Sequence, residues 1–235
     1  MKILAFDGTA KAATVAVSDD ERVLGLYTVD NGLTQSELLL PMAEDLLSSL
    51  KLSFKDIQLF ATSVGPGSFT GVRIGVSLVK GLAFGRDIPC VGVSTIEALA
   101  ENLAGLHGII VPCMDARRGQ VYSAIFRCNG HSIERLTEDR AIALSALAEE
   151  LSRFEGENIY LSGDGYWVAK KTLSEAGIAL SETPELLILE NAASVARVAK
   201  RKFDSGEVMT DAEISPVYLR MPQAERERLE REAAK

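Results

Sequence analysis

Apolar runs, period-two alternation and helical spacing follow one another along this chain in the order β-β-β-α-β-α-β-α over the first hundred residues. Residues 3–6 form a short apolar run. Residues 14–17 and 23–29 are rich in β-branched side chains, with Asp19-Asp20-Glu21 as the turn between them. Asp7-Gly8-Thr9 breaks the first strand from the second, so an antiparallel meander is predicted. Thr34, with Glu37 three residues on, reads as a capping box that opens a helix to about Leu50, with Pro41 inside it. A turn at 53–56 leads to a buried strand at 57–64. Gly65-Pro66-Gly67-Ser68-Phe69-Thr70-Gly71 then opens a second helix that runs to about Gly85. Residues 89–93 read as a strand, and Ser94, with Glu97 behind it, caps a helix over 95–104.

The second half starts anew with strands at 109–114, 120–128 and 132–136. A helix at 144–154, a strand at 158–161, a helix at 167–176, a short strand at 185–189 and a helix at 192–203 follow. No sequence repeat is visible, but the order of elements looks like one plan used twice. Residues 223–235 are almost all Ala, Glu, Arg and Lys, a solvated helix or frayed tail. The expected division is therefore a first half at 1–100, a second half at 101–222, and a charged tail at 223–235.

Composition narrows the function classes. The 235 residues suffice for proper cores, and 47% apolar with 25% charged residues is ordinary for a globular protein. No run of eighteen apolar residues suggests a membrane span, and the first residues read as a buried strand rather than a signal peptide, so the cytoplasm is the expected compartment. Cys90, Cys113 and Cys128 lie in apolar runs without close spacing, as buried reduced thiols do. A net charge of −8 opposes a polyanion, so any action on RNA would borrow most of its contact from a partner.

Few residues invite chemistry. The turn at 65–71 follows a buried strand and precedes a helix, where phosphate-cradling loops sit. It lacks the Gly-Lys-Ser/Thr ending of a P-loop, and its glycine spacing is not that of a dinucleotide fold. A tight packing turn and an anion site both remain open. Asp7 is a turn residue or a second candidate. Asp115-Ala116-Arg117-Arg118-Gly119 reads as a polar hairpin or a contact point, and Ser162-Gly163-Asp164-Gly165 as a second loop or a plain turn. His107 and His131 make no metal-ligand pair, and no nucleophile elbow is present.

The first two helices are broader in their greasy surface than one core demands. Leu38, Leu39, Leu40, Met42, Ala43, Leu46, Leu47 and Leu50 spread over roughly 200° of the first, where a helix on one core needs about 100° or somewhat more. Val72, Ile74, Gly75, Val76, Leu78, Val79, Leu82 and Ala83 cover most of the second. Either both helices are deeply buried in their own chain, or one face packs on the sheet and another on a second protein. The second account is favoured, with Leu39, Met42, Leu46, Leu50, Val72, Gly75, Val76 and Val79 as the candidate partner interface. Gly71 and Gly75 would let a neighbouring helix come close.

Four blocks, Gly65 to Gly75, Gly92-Val93-Ser94-Thr95, Asp115 to Tyr122 and Pro216-Val217-Tyr218-Leu219-Arg220, resemble the signature of the TsaB (YeaZ) family and span most of the chain. The resemblance implies an α/β, actin-like (ASKHA, ribonuclease H-like) fold of two related halves, each a mixed sheet flanked by helices. It implies a non-catalytic subunit that pairs with and activates TsaD, which transfers threonylcarbamoyl to the tRNA adenosine beside the anticodon, together with the ATPase TsaE. It further implies a homodimer in the absence of TsaD, contact with tRNA only through the complex, and no membrane. No tightly bound cofactor or metal is implied, with ATP or ADP only at a joint site with partners. In actin-like ATPases an acidic residue at the position of Asp7 approaches the phosphates. Asp7 therefore joins Gly65, Gly67, Ser68, Thr70 and Gly71 as candidate nucleotide- or phosphate-contacting residues. The family usually has threonine where this chain has Gly8, which weakens that chemistry. The rival reading is a stand-alone enzyme of the same fold, a glycoprotease-type metallopeptidase or a small phosphotransferase.

Overall fold

The computed structural model describes residues 1–220. Its first apolar run forms β1 (Lys2–Asp7), and Ile3 to Phe6 are all fully buried, so no solvent-facing alternation shows. A strand reads this way when helices cover both faces of its sheet. β2 (Ala13–Asp19) and β3 (Arg22–Val29) continue as the predicted antiparallel meander, while β4 (Leu59–Gly65) and β5 (Cys90–Ser94) add in parallel, in the order β3-β2-β1-β4-β5. The two-residue period of β1 divides its side chains between two cores. Leu4 and Phe6 pack with α1 (Gln35–Ser49) and α2 (Phe69–Ala83), whereas Ile3 and Ala5 meet α6 (Ala192–Asp204) on the other face. The predicted capping box opens α1, with the Thr34 amide donating to Glu37 Oε2 at 2.9 Å.

The second sheet repeats the plan. β6 (His107–Asp115) is its centre, flanked antiparallel by β7 (Gln120–Ser123) and β8 (Phe126–Asn129) and in parallel by β11 (Ile159–Ser162). α4 (Leu144–Leu151) and α5 (Tyr166–Glu175) cover one face, and α3 (Thr95–Glu101) lies against the other. Each half is thus a meander, a helix, a parallel strand and a helix, the actin-like arrangement. The strand predicted over 120–128 is broken at Ala124-Ile125, where the Ile125 amide turns to the Thr137 hydroxyl at 2.8 Å. The chain then pairs β9 (Ile133–Arg135) with β8 and β10 (Arg140–Ala143), which the pattern did not reveal, with β7. The strand predicted at 185–189 is instead a tight helical turn, Glu185–Leu187.

The chain's last stretch, expected within the second half at 101–222, lies on the first sheet. α6 returns to cover the first sheet, Met209 exchanges both backbone hydrogen bonds with Cys90, and Ile214 enters the first core. The reason is apolar area: Ile3, Ala5, Ala61, Val91 and Val93 form a face that α6 buries with Val195, Ala196, Val198 and Ala199. The predicted tail at 223–235 lies outside the described residues. All three cysteines are free and buried, and burial pushes the thiols of Cys90 and Cys113 up to about 11 and about 12. Among the described residues no helix is long and apolar enough to cross a membrane.

Candidate functional site

The carboxyl ends of β1 and β4 in one half and of β6 and β11 in the other look onto a single cleft, the usual place for a site in open α/β sheets. Its volume is about 720 Å³, and it is lined by residues 9–11, 66–69, 114–117 and 217–220, with Tyr122 and Asp164. Lys11, Arg117 and Arg220 bring positive charge to it, Asp115 and Asp164 negative charge, and Phe69, Tyr122 and Tyr218 aromatic surface.

Asp7 does not present its carboxylate to that space. It is 1% exposed; Oδ1 accepts from the Thr9 amide at 2.8 Å and the Thr9 hydroxyl at 2.6 Å, and Oδ2 accepts from the Ser63 hydroxyl at 2.5 Å. Burial raises its proton affinity above the usual carboxylate range, against the pull of those three bonds. The side chain ties the turn at 7–9 to β4.

The glycine turn packs on that same turn. The Ser68 amide donates to the Thr9 carbonyl at 2.6 Å, and the Ser68 hydroxyl caps α2 by accepting from the Gly71 amide at 3.3 Å. A Cβ at Gly67, whose φ is +155°, would fall 2.5 Å from Thr9 O, and one at Gly71 would fall 1.9 Å from Gly8 O. Gly65 makes the same allowance for Val217 O, at 2.6 Å. Of the two accounts left open for 65–71, close turn-on-turn packing is the one these distances describe. Thr70 is exposed at the first turn of α2 and lines a neighbouring hollow of about 610 Å³ with Leu33, Gln35 and Ile74.

The second half mirrors this construction. The Asp115 amide donates to Asp164 Oδ1 at 2.9 Å, so the loop after β11 grips the end of β6 as Asp7 grips β4. Asp115 Oδ1 in turn accepts from the Arg117 amide at 2.7 Å, holding Arg117 and Arg118 at φ of 62° and 55°. Burial, then the nearby Asp115 charge, raise the proton affinity of Asp164.

Between the two halves lies Glu190, which sequence reasoning missed. It precedes Asn191, the cap of α6, and is 3% exposed, and neither carboxyl oxygen makes a well-formed hydrogen bond among the described residues. Burial first, then the charges of Asp7 and Asp164, hold its carboxyl well above the usual range. Nothing local in the sequence marks it, because its neighbours come from residues 7 and 164.

The candidate partner-interface residues require correction. Leu39, Met42, Leu46, Val72, Val76 and Val79 are buried in the first core, Gly75 is buried, and Leu50 is half-buried. Gly75 does permit a close approach, but to Thr62 of β4, whose Oγ1 lies 2.8 Å from where a Cβ would stand. The wide apolar arcs have an internal cause: α1 and α2 lie on the sheet and also against each other, so each serves two neighbours in its own chain. What the pair leaves exposed is Leu33 and Phe84 (50% and 78% exposed) and Leu40, while Ile74, Leu78 and Leu82, at four-residue spacing on α2, are half-buried at the edge of the first core.

The histidines sit away from the cleft. His107 opens β6 while Asp115 closes it, roughly 26 Å further on at about 3.3 Å per residue, and His131 lies in the turn between β8 and β9. Among the described residues no three His, Cys, Asp or Glu side chains are gathered to hold a metal ion.

Known proteins share both the sequence and the fold. The family model described as TsaD, tRNA N6-adenosine threonylcarbamoyltransferase, matches residues 34–228. The tRNA threonylcarbamoyladenosine biosynthesis protein TsaB of Escherichia coli is 31% identical over 223 residues, 94% of this chain and 95% of that one. The protein of the same name from Bacillus subtilis is 34% identical over 164 residues, 70% and 72% of the two chains. A crystal structure from Pseudomonas aeruginosa, described as an uncharacterized protein with similarity to peptidase YEAZ, superposes with a TM-score of 0.79 at 25% identity, covering 93% of this chain and 99% of that one.

Proposed function

This chain belongs to the TsaB family, within the wider family that the threonylcarbamoyltransferase model describes, and from that premise we propose that it is a non-catalytic subunit required for threonylcarbamoyl transfer to tRNA. In this reading it pairs with TsaD and activates it, TsaE completes the assembly, and tRNA is met through the complex. In the absence of TsaD two copies pair with each other. Any ATP or ADP sits at a joint site with the partners, and the compartment is the cytoplasm.

The observation that carries the reading is the packing of the glycine turn on Thr9 and Gly8, with Asp7 bonded to Thr9 and Ser63. The Ser68 amide, which a phosphate-binding turn would leave free for its ligand, is taken by the Thr9 carbonyl. Pairing is assigned to the exposed and half-buried residues of the helix pair, Leu33, Leu40, Ile74, Leu78, Leu82 and Phe84, in place of the buried set. Reconstitution tests the proposal: tRNA is incubated with TsaD, TsaE, the enzyme that makes threonylcarbamoyl-adenylate and labelled threonine, with and without this chain. Modification is expected only when the chain is present, and the chain alone is expected to be inert. Equal labelling without it, or phosphoryl transfer or peptide cleavage by the purified chain, overturns the proposal.

A further inference from the structure

The cleft has a rigid back and a polar front. At the back, α3 packs on both sheets: Ala98 joins the first, and Ile96, Leu99 and Ala100 join the core of the second. Glu101, 4% exposed, pairs there with Arg201 at 2.7 Å and Arg197 at 3.3 Å on α6. At the front, one short segment crosses from one half to the other. Ile214 is anchored in the first core, and the Val217 amide donates to the Val64 carbonyl at 2.8 Å. The Tyr218 ring stacks on Phe69 at 4.6 Å, its hydroxyl accepts from Arg73 Nε at 2.8 Å, and the Arg73 guanidinium lies 3.8 Å over the Phe69 ring. Two residues later Arg220 reaches the other half. It donates to the Ala116 carbonyl at 3.2 Å and to the Gln120 side chain, and lies 5.6 Å over the Tyr122 ring.

We propose that residues 214–220 are a clasp that holds the two halves closed across the mouth of the cleft and so controls access to it. Buried apolar contacts at the back act as the hinge, since they open only with the fold itself. The front is held by hydrogen bonds and ring contacts of side chains that water reaches, Tyr218 being 40% exposed and Arg220 half-buried. Such contacts exchange with water at little net cost, so the front is where the halves part. Arg220 is the latch: it carries the side-chain contacts of the segment to the second half, while Tyr218 and Arg73 hold the strap on α2. A small molecule entering the cleft would pass Arg220, and an anionic one would compete for it.

Distance measurement between spin labels tests the clasp on the full chain without TsaD, with doubly labelled chain diluted into an excess of unlabelled chain so that only distances within one copy are read even where two copies pair. Ser77 on α2 and Lys171 on α5 are exposed sites in opposite halves, and the three native cysteines are buried, so cysteines placed at these two positions take the label selectively. Unmodified at the clasp, the chain is expected to give one narrow distance distribution. Arg220→Ala and Tyr218→Ala are expected to broaden it and move it by several ångströms, with circular dichroism unchanged. Tyr218→Phe keeps the stack and deletes only the hydroxyl, and is expected to fall between. Distributions for Arg220→Ala and Tyr218→Ala that superimpose on the parent overturn the proposal, as does an equal response to Lys202→Ala, a surface ion-pair residue on α6 away from the mouth.

Discussion

Replacing Gly71 with alanine separates a packing role for the glycine turn from a ligand role. A new Cβ would lie 1.9 Å from Gly8 O, where nothing can move aside cheaply because the two nearest atoms belong to backbone. A carbon and a carbonyl oxygen rest at roughly 3.3 Å, so α2 or the turn at 7–9 must shift by about 1.4 Å. Overpacking of this kind costs about 1–3 kcal/mol. The shift also strains the 2.6 Å bond from the Ser68 amide to Thr9 O, worth about 1 kcal/mol. Alanine returns up to about 1 kcal/mol in helix propensity. The expected net loss is about 2 kcal/mol, a fall in melting temperature of about 4–8 °C for a chain of this length. Gly81 is the matched control, since it lies in the same helix and a Cβ there meets nothing within 4 Å. Gly81→Ala is expected to stabilise by about 0.5–1 kcal/mol. Urea denaturation followed by circular dichroism measures both. If Gly71→Ala proves as stable as Gly81→Ala, the turn is not packed as described, and a ligand role returns.

Other expectations follow from the same packing. Val76→Glu or Leu46→Glu places a carboxylate in the first core, so the monomer is expected to lose about 4 kcal/mol or more and its cooperative melt. Leu78→Glu at the half-buried edge is expected to cost no more than about 1–2 kcal/mol while abolishing co-purification with TsaD; retained binding would move the interface elsewhere. Glu190 binds its proton more tightly folded than unfolded, so its contribution to stability is full below the unfolded carboxyl pKa and is lost as pH rises through the folded one. Glu190→Gln is therefore expected to gain stability relative to the parent at pH 8 and much less at pH 5, measured by denaturant titration; an equal difference at both values would mean that the group is ionised in the fold.

The sequence alone determined what local pattern can determine. The meander, the capping box at Thr34, both broad helices, the buried cysteines and the repeated order of elements were legible because each depends on neighbours a few residues away. The family blocks were legible too, since Gly65, Gly67 and Gly71 are demanded by backbone geometry wherever this turn packs on Thr9 and Gly8. Four things were decided only by tertiary structure. The same apolar arc serves a partner or a second internal neighbour, and only the packing of α1 beside α2 shows that Leu39, Met42, Leu46 and Val76 face inward. The return of α6 to the first sheet follows from a bare apolar face about 100 to 190 residues earlier, which no window along the chain can contain. Glu190 acquires its raised proton affinity from its burial first and then from the charges of Asp7 and Asp164, and Arg220 acquires its latch from Ala116 and Gln120. Charge and burial act through space, so these properties exist only once the two halves have closed on each other.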